Sequence, residues 1–309
     1  MVQRVASGAA SEPARSASEP ANSFVELCRR KERLPKDTQY TIALLLRLAK
    51  TTDCDRADGV LDGMDAMDLT DTKIVDLNPL RSFVHLQQLY LGNNKLTDIR
   101  PLSALTDLTH LYLGYNQISD LRPLSRLTRL NYVFLMSNQI TDITPLAGLN
   151  RLIGVDLTSN RIADIQPLSN LSAITQLDLS FNQIQDLRPL AGLKNLTDLS
   201  VAAQKLSDIR PLAVLQNLVN LDLSGNQITD VKALQFLTKL DSLGLGGNRI
   251  TDIQPLRSLT QLNTLYLSGN QIQDISSLRS LTKLQSLYLQ GNPLKPETCP
   301  VQPASVCRF

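Results

Sequence analysis

The sequence predicts an α/β solenoid. It should be a right-handed, curved stack of short parallel strands on a concave face, backed by 3₁₀ or irregular turns on the convex face and closed at its N-terminal end by helices. Three observations predict it. Asn recurs at 94, 116, 138, 160, 182, 226, 248, 270 and 292, in steps of 22 residues with one double step over Gln204. The apolar 42% of the chain is almost wholly aliphatic, with aromatics at 4% and no Trp. Each unit also carries an apolar alternation suited to a strand, followed by an apolar spacing of three suited to a tight turn. Counting back one step places Thr72 in the Asn slot, so eleven copies occupy residues 64–295. A fixed period of this length is the signature of stacked units that share one core.

The unit justifies itself slot by slot. In Leu86–Leu105, Leu89 and Leu91 alternate with outward residues as a short strand requires. Asn94 falls where the strand turns, and its amide can bond both N–H and C=O groups there. Pro101 fixes φ at the start of a turn of helix, and Leu102, Leu105 and Leu108 at spacing three fit a 3₁₀ segment. Gln204 is expected to break the Asn ladder as a local irregularity. Asp76, Asp98, Asp120 and their equivalents to Asp274 read as backbone caps, since one carboxylate per layer lacks the converging oxygens of a calcium site. Arg100, Arg122, Arg188 and Arg210, with Arg126, Arg129 and Arg151, mark a solvated convex face.

This pattern resembles leucine-rich repeat proteins of the 22-residue class found in bacterial internalins and in a eukaryotic phosphatase regulatory subunit. The wording Ile-x-Asp-Ile-x-Pro-Leu, at Ile140–Leu146 and Ile250–Leu256, is most similar to internalins. The resemblance implies a leucine-rich repeat solenoid with a partner held on its concave sheet, and it carries over no particular partner. The caps resemble those of secreted bacterial, cyanobacterial-type leucine-rich repeat proteins.

The ends differ from the repeats. Residues 1–22 contain Ser-Glu-Pro-Ala twice and are expected to be disordered. Met1–Ala10 lacks the apolar run of an export leader. Residues 23–63 read as a helical cap: one helix from Asn22 or Ser23 to Arg30, a second from Pro35 to Lys50 burying Ile42, Leu45, Leu46 and Ala49, and a short third after Asp53. Residues 296–309 form a C-terminal cap tail. Cys28 and Cys54 lie in the first cap, Cys299 and Cys307 in the second. Eleven strands at ~4.8 Å separate the caps by about 50 Å, so pairing within the chain is restricted to 28 with 54 and 299 with 307. Such staples favour a secreted or periplasmic location; four reduced thiols in the cytoplasm are the alternative.

Composition narrows function. Lys plus Arg number 31 against 29 Asp plus Glu, a net charge of +2 that supports neither nucleic-acid nor membrane-surface binding. No apolar run spans a bilayer, and two His leave little for a metal or His-based catalytic centre. No cofactor is expected, and the chain is expected to be a monomer.

The outward concave positions lie six, four, two and one residues before each ladder residue, and none carries Lys or Arg. Tyr90, Tyr112, Tyr115, Tyr132 and Phe134 form an aromatic zone with His110 and Met136 nearby; Asp156, Asp178, Asp198 and Asp222 follow, with Phe181 beside them. Ser242, Gly244, Gly246 and Gly247 leave a bare stretch before Tyr266 and Tyr288. Aromatic anchors beside an acidic stripe predict a non-catalytic surface for a protein or peptide, a basic one being favoured. The bland alternative is that Tyr favours strands and Asp keeps a surface soluble; grouping by repeat favours recognition. Two further readings stand beside it. One is a carbohydrate-binding face, with sugars stacked on the aromatics. The other is a glycan-cleaving enzyme using Asp156 and Asp178, which neighbouring strands would hold ~5 Å apart.

Overall fold

A computed structural model describes residues 23–294 and 298–309. The segment expected to be disordered, 1–22, lies outside the described residues, as does the join between repeats and tail at 295–296.

The chain enters through three helices, α1 (Phe24–Arg29), α2 (Lys36–Leu48) and α3 (Cys54–Asp62). Ser23 caps α1, its Oγ accepting from the Glu26 N–H, and Asp53 caps α3 in the same way through Arg56. Phe24, Leu27, Ile42, Leu45, Ala57 and Leu61 turn inward and join the core of the first repeat. Phe24 packs on Phe83 with ring centroids 5.5 Å apart. Polar bonds complete the seam: Thr41 Oγ1 donates to the Asp76 carbonyl (2.8 Å), and Tyr40 Oη to the Thr72 carbonyl (2.6 Å). A disulfide joins Cys28 to Cys54. The cap thus covers the apolar end that an unstacked repeat would expose to water.

Eleven strands follow, one per repeat: β1 (Ala66–Asp68), β2 (Gln88–Tyr90), β3 (His110–Tyr112), β4 (Tyr132–Phe134), β5 (Gly154–Asp156), β6 (Gln176–Asp178), β7 (Asp198–Ser200), β8 (Asn220–Asp222), β9 (Ser242–Gly244), β10 (Thr264–Tyr266) and β11 (Ser286–Tyr288). All are parallel, and each pairs with the next in a register of 22 residues, so Leu89 faces Leu111 and Leu111 faces Val133. The central residue of every strand is buried and its two neighbours lie on the outward face, where Gly154 and Gly244 are covered by neighbouring side chains. Behind them the chain makes 3₁₀ turns such as Arg100–Ala104, mostly opened by Pro. Leu102, Leu105 and Leu108 from that side are fully buried. A twelfth strand, β12 (Cys307–Arg308), extends the sheet from the tail, pairs parallel with β11, and is pinned by the Cys299–Cys307 disulfide.

The Asn ladder stitches layer to layer. Asn94 Oδ1 accepts from the Ile74 N–H (3.0 Å), while Nδ2 donates to the carbonyls of Leu91 in its own repeat (2.9 Å) and Leu69 in the one before (3.0 Å). The expectation that Gln204 breaks this ladder needs correcting. Its Oε1 accepts from Ile184 N–H (3.0 Å) and its Nε2 donates to the Leu179 carbonyl (2.5 Å), so the inter-repeat stitches survive. The extra methylene carries the amide past the carbonyl of its own repeat, and the backbone adjusts: Lys205 takes φ +65°, as Lys73 takes +62° after Thr72. A second left-handed residue, in addition to the one that precedes every ladder position, thus follows each of the two that lack Asn.

Asp residues of the convex side cap each 3₁₀ turn, Asp98 Oδ1 accepting from Arg100 N–H (2.9 Å), and likewise from Asp76 to Asp274. Arg100, Arg122, Arg188 and Arg210 each fold back on their own cap, Asp98, Asp120, Asp186 and Asp208, at 2.6–2.8 Å. These arginines are therefore internally paired.

Candidate functional site

The outward residues of β2, β3 and β4 form stacked columns of rings, because residues 22 apart stand side by side at strand spacing. Tyr90 lies on Tyr112 (centroids 4.4 Å) and Tyr112 on Phe134 (4.5 Å, planes 5° apart). Beside them His110 lies on Tyr132 at 4.9 Å. Centroid spacings this close to the inter-strand distance mean that the ring faces look along the solenoid axis. Tyr266 and Tyr288 repeat the arrangement at 4.6 Å. Small residues make room. A Cβ on Gly154 would stand 2.6 Å from Tyr132 Cδ1, and one on Gly114 would stand 2.6 Å from Met136 Sδ. Packing of Tyr112 raises its phenol pKa, through burial first and then through Tyr90.

Between the two stacks runs a trough of about 770 Å³. Phe134 closes one end and Tyr266 the other; Val155, Leu177, Leu199 and Leu221 underlie it, and Asp156, Asp178, Asp198 and Asp222 line it. Each of Asp156, Asp178 and Asp222 uses Oδ1 to accept the N–H two residues on, at 2.8–2.9 Å, which holds the carboxylates along one row. Asp198 sits in the neighbouring row and accepts from Asn220 Nδ2 (2.6 Å) and Thr197 Oγ1 (2.6 Å). Burial pushes the Asp156 carboxyl up from its ordinary pKa; the hydrogen bonds from Thr158 oppose the rise and the Asp178 charge adds to it. Toward repeat nine the floor becomes bare, and Asp222 leans over Gly244, whose missing Cβ it replaces.

Of the residues singled out from sequence, Tyr90, His110, Tyr112, Tyr132 and Phe134 meet in one aromatic slab, and Tyr266 and Tyr288 in a second. The four aspartates meet in the trough. Tyr115 and Phe181 stand apart, in the turns after β3 and β6, at φ +59° and +56° and about 60% exposed. Repeats eight to eleven place Gly225, Gly247, Gly269 and Gly291 at that turn position, where a left-handed backbone suits glycine. Two bulky aromatics are thus held out from a conformation that disfavours them. Residues not foreseen include Gln176, Ser200, Asn220 and Ser268, which share the trough wall. The stacking itself was readable from the 22-residue offsets.

Among the described residues no group of His, Cys, Asp and Glu is placed to hold a metal ion, and no helix is long and apolar enough to cross a membrane. Repeated strands of identical register, an Asn ladder and 3₁₀ backs define the solenoid class, and the comparisons agree. The family described as leucine-rich repeats (two copies) matches residues 67–104, 106–148, 150–192, 172–214, 216–258 and 260–298. The chain belongs to the leucine-rich repeat family and is internalin-like. It is 34% identical to an internalin, InlF of Listeria monocytogenes, over 80% of this chain and 74% of that one, with a TM-score of 0.77. Two plant ectodomains share the fold, each at 24% identity. One is the Arabidopsis receptor kinase HAESA in complex with an IDA peptide hormone (74% of this chain, 42% of that one, TM-score 0.64). The other is GASSHO1/SCHENGEN3 of Arabidopsis in complex with CASPARIAN STRIP INTEGRITY FACTOR 2 (77% and 34%, TM-score 0.61). No curated protein matches the chain.

Proposed function

We propose that this protein is a non-catalytic binding module that holds a protein or peptide partner on its concave face. One observation carries the reading: two aromatic stacks and an acidic trough converge on one face whose outward positions hold no Lys or Arg. Stacked rings present large apolar area at little entropic cost, since each ring is already fixed by its neighbour. The plant ectodomains that share the fold are seen with peptide or protein ligands, which supports the same use of the solenoid. Catalysis is not part of the reading. Asp156 and Asp178 are register partners, but each has one oxygen tied to a backbone N–H, and the trough is open along its length. The two disulfides, one per cap, fit an extracellular or periplasmic location.

The test is affinity capture from the native source with wild type and with the Tyr112→Ala/Tyr132→Ala/Phe134→Ala variant. Capture should be lost while circular dichroism still reports the folded solenoid; full capture by the folded variant would refute the reading. A glycan ligand is the second reading, favoured by the exposed Tyr266, 42% accessible. Glycan binding would persist in high salt, whereas a charged protein partner would be released.

A further inference from the structure

The occupant of the trough can be specified further, resting on the binding reading above. We propose that the trough between Phe134 and Tyr266 takes an extended, basic polypeptide segment, laid along the solenoid axis with Arg or Lys side chains on Asp156, Asp178, Asp198 and Asp222.

Length comes first. Phe134 and Tyr266 stand on β4 and β10, six strand intervals apart, which at ~4.8 Å each is about 29 Å. An extended chain rising ~3.3 Å per residue covers that distance in about nine residues. The ends come second. Phe134 is the last ring of its stack, and its register partner on β5 is Asp156. An aromatic face beside a carboxylate is a seat for a guanidinium, which the ring attracts through its quadrupole while the carboxylate takes its N–H donors. At the far end Tyr266 pairs with Gly244, which has no side chain of its own, and the Asp222 carboxylate fills the space over that glycine, so the second ring also has a carboxylate near it. Charge comes third. The protein as a whole is at +2, yet the trough carries four aspartates and no basic residue lines it. The convex arginines at 100, 122, 188 and 210 are bound to their own Asp caps, so they do not neutralise the trough. One backbone N–H on each of Asp156, Asp178 and Asp222 leaves most of the acceptor capacity to a ligand, whereas Asp198 already accepts from Asn220 and Thr197 and contributes mainly its charge.

The same geometry disfavours a long glycan. Sugar rings bind aromatic platforms that lie flat beside the chain, whereas these rings face along the trough and offer contact only at its ends. Gly246 before Tyr266, with no side chain, instead allows close approach of a peptide backbone beside the Asp222 carboxylate that fills the space over Gly244.

The experiment uses the whole chain and fluorescence anisotropy with three probes: an alternating Arg-Gly peptide of about nine residues, the Glu-Gly peptide of equal length, and labelled cellohexaose. Asp178→Asn/Asp222→Asn is the variant, because Asn Oδ1 preserves the backbone cap. The Arg-Gly peptide is expected to bind, the Glu-Gly peptide and the glycan not to. The variant should weaken binding at least ~10-fold, and raising NaCl from about 50 mM to about 500 mM should weaken the wild type comparably. Equal binding of the Glu-Gly peptide, tighter binding of cellohexaose, or an unaltered affinity in the variant would overturn the proposal. Partner capture from the native source separates the two readings. Loss in the aromatic triple variant with full retention in the Asp variant would overturn the basic segment and leave the binding module standing. Retention in both would overturn both.

Discussion

Tyr132 lies flat across Gly154, its Cδ1 2.6 Å from the point where a Cβ would stand. That contact seats the ring against His110 and so builds one column of the aromatic slab. Gly154→Ala is therefore expected to lift the ring out of the stack. Losing the stack costs about 0.5–1.5 kcal/mol, while the methyl restricts the unfolded chain and returns about 0.4–1 kcal/mol. The two nearly cancel, so the urea midpoint should barely move while the near-ultraviolet circular dichroism of the tyrosines falls and partner affinity drops. An unaltered tyrosine signal would show that the ring does not depend on the glycine.

Ladder residues should behave quite differently. Asn160→Ala removes the acceptor of the buried Ile140 N–H and the donor to the Leu135 and Leu157 carbonyls. Those carbonyls keep donors from Asn138 and Asn182, so the orphaned N–H dominates. With the two lost bonds, the destabilisation should reach about 3 kcal/mol. Gln204→Asn should act in the opposite direction, because the shorter amide regains a bond to the Val201 carbonyl worth about 1 kcal/mol and frees Lys205 from its left-handed backbone. Urea denaturation of both variants decides the matter, and a less stable Gln204→Asn protein would contradict the account of the ladder.

These cases show what a sequence of this kind makes legible. Repeats and ladder are visible because each slot recurs, and the cap helices because their own apolar spacing marks a helix face; recurrence in a stack means contact, so Tyr90, Tyr112 and Phe134 at steps of 22 must lie side by side. Features that depend on one residue's reach are not periodic and escape that reading. The length of Gln204 alone implies a break, and only the backbone adjustment at Lys205 removes it. The positions of Tyr115 and Phe181 in the unit imply the sheet face, yet the left-handed turn holds them beyond it. β12 is two residues long and has no pattern of its own; the Cys299–Cys307 bridge positions it. The seats of Tyr132 and of the Asp222 carboxylate depend on side chains that Gly154 and Gly244 do not have.

The two disulfides should contribute unequally. Cys28–Cys54 closes a loop with a sequence separation of 26, and Cys299–Cys307 one of 8. By loop-closure entropy alone the first is worth about 3.5 kcal/mol and the second about 2.6 kcal/mol. Cys28→Ser/Cys54→Ser should therefore lower the denaturation midpoint more than Cys299→Ser/Cys307→Ser does. The two losses should also be nearly additive, since the caps lie at opposite ends of the stack. Equal midpoints in the two variants would argue that the N-terminal cap is held by its apolar contacts with Phe83 and its neighbours instead of by the bridge.

Acid should act on the two faces with opposite sign. On the convex side, the hydrogen bond from Arg210 holds Asp208 down at about 2, and arginine partners hold Asp98, Asp120 and Asp186 below the usual carboxylate range. A depressed folded pKa contributes stability that is fully present above the unfolded value of about 3.9 and is lost as pH falls toward 2. These pairs are exposed, so each loss is small and salt-screened. Asp156 runs the other way. Burial raises its pKa, so the folded protein binds that proton more tightly than the unfolded chain does, and mild acid favours the fold. From neutral pH downward, the urea midpoint should first rise slightly and then decline between about pH 4 and pH 2. Asp156→Asn should remove the early rise, and Asp208→Asn should soften the late decline. A wild-type midpoint that falls steadily from neutrality would contradict the burial of Asp156, and with it the depth of the trough at repeat five.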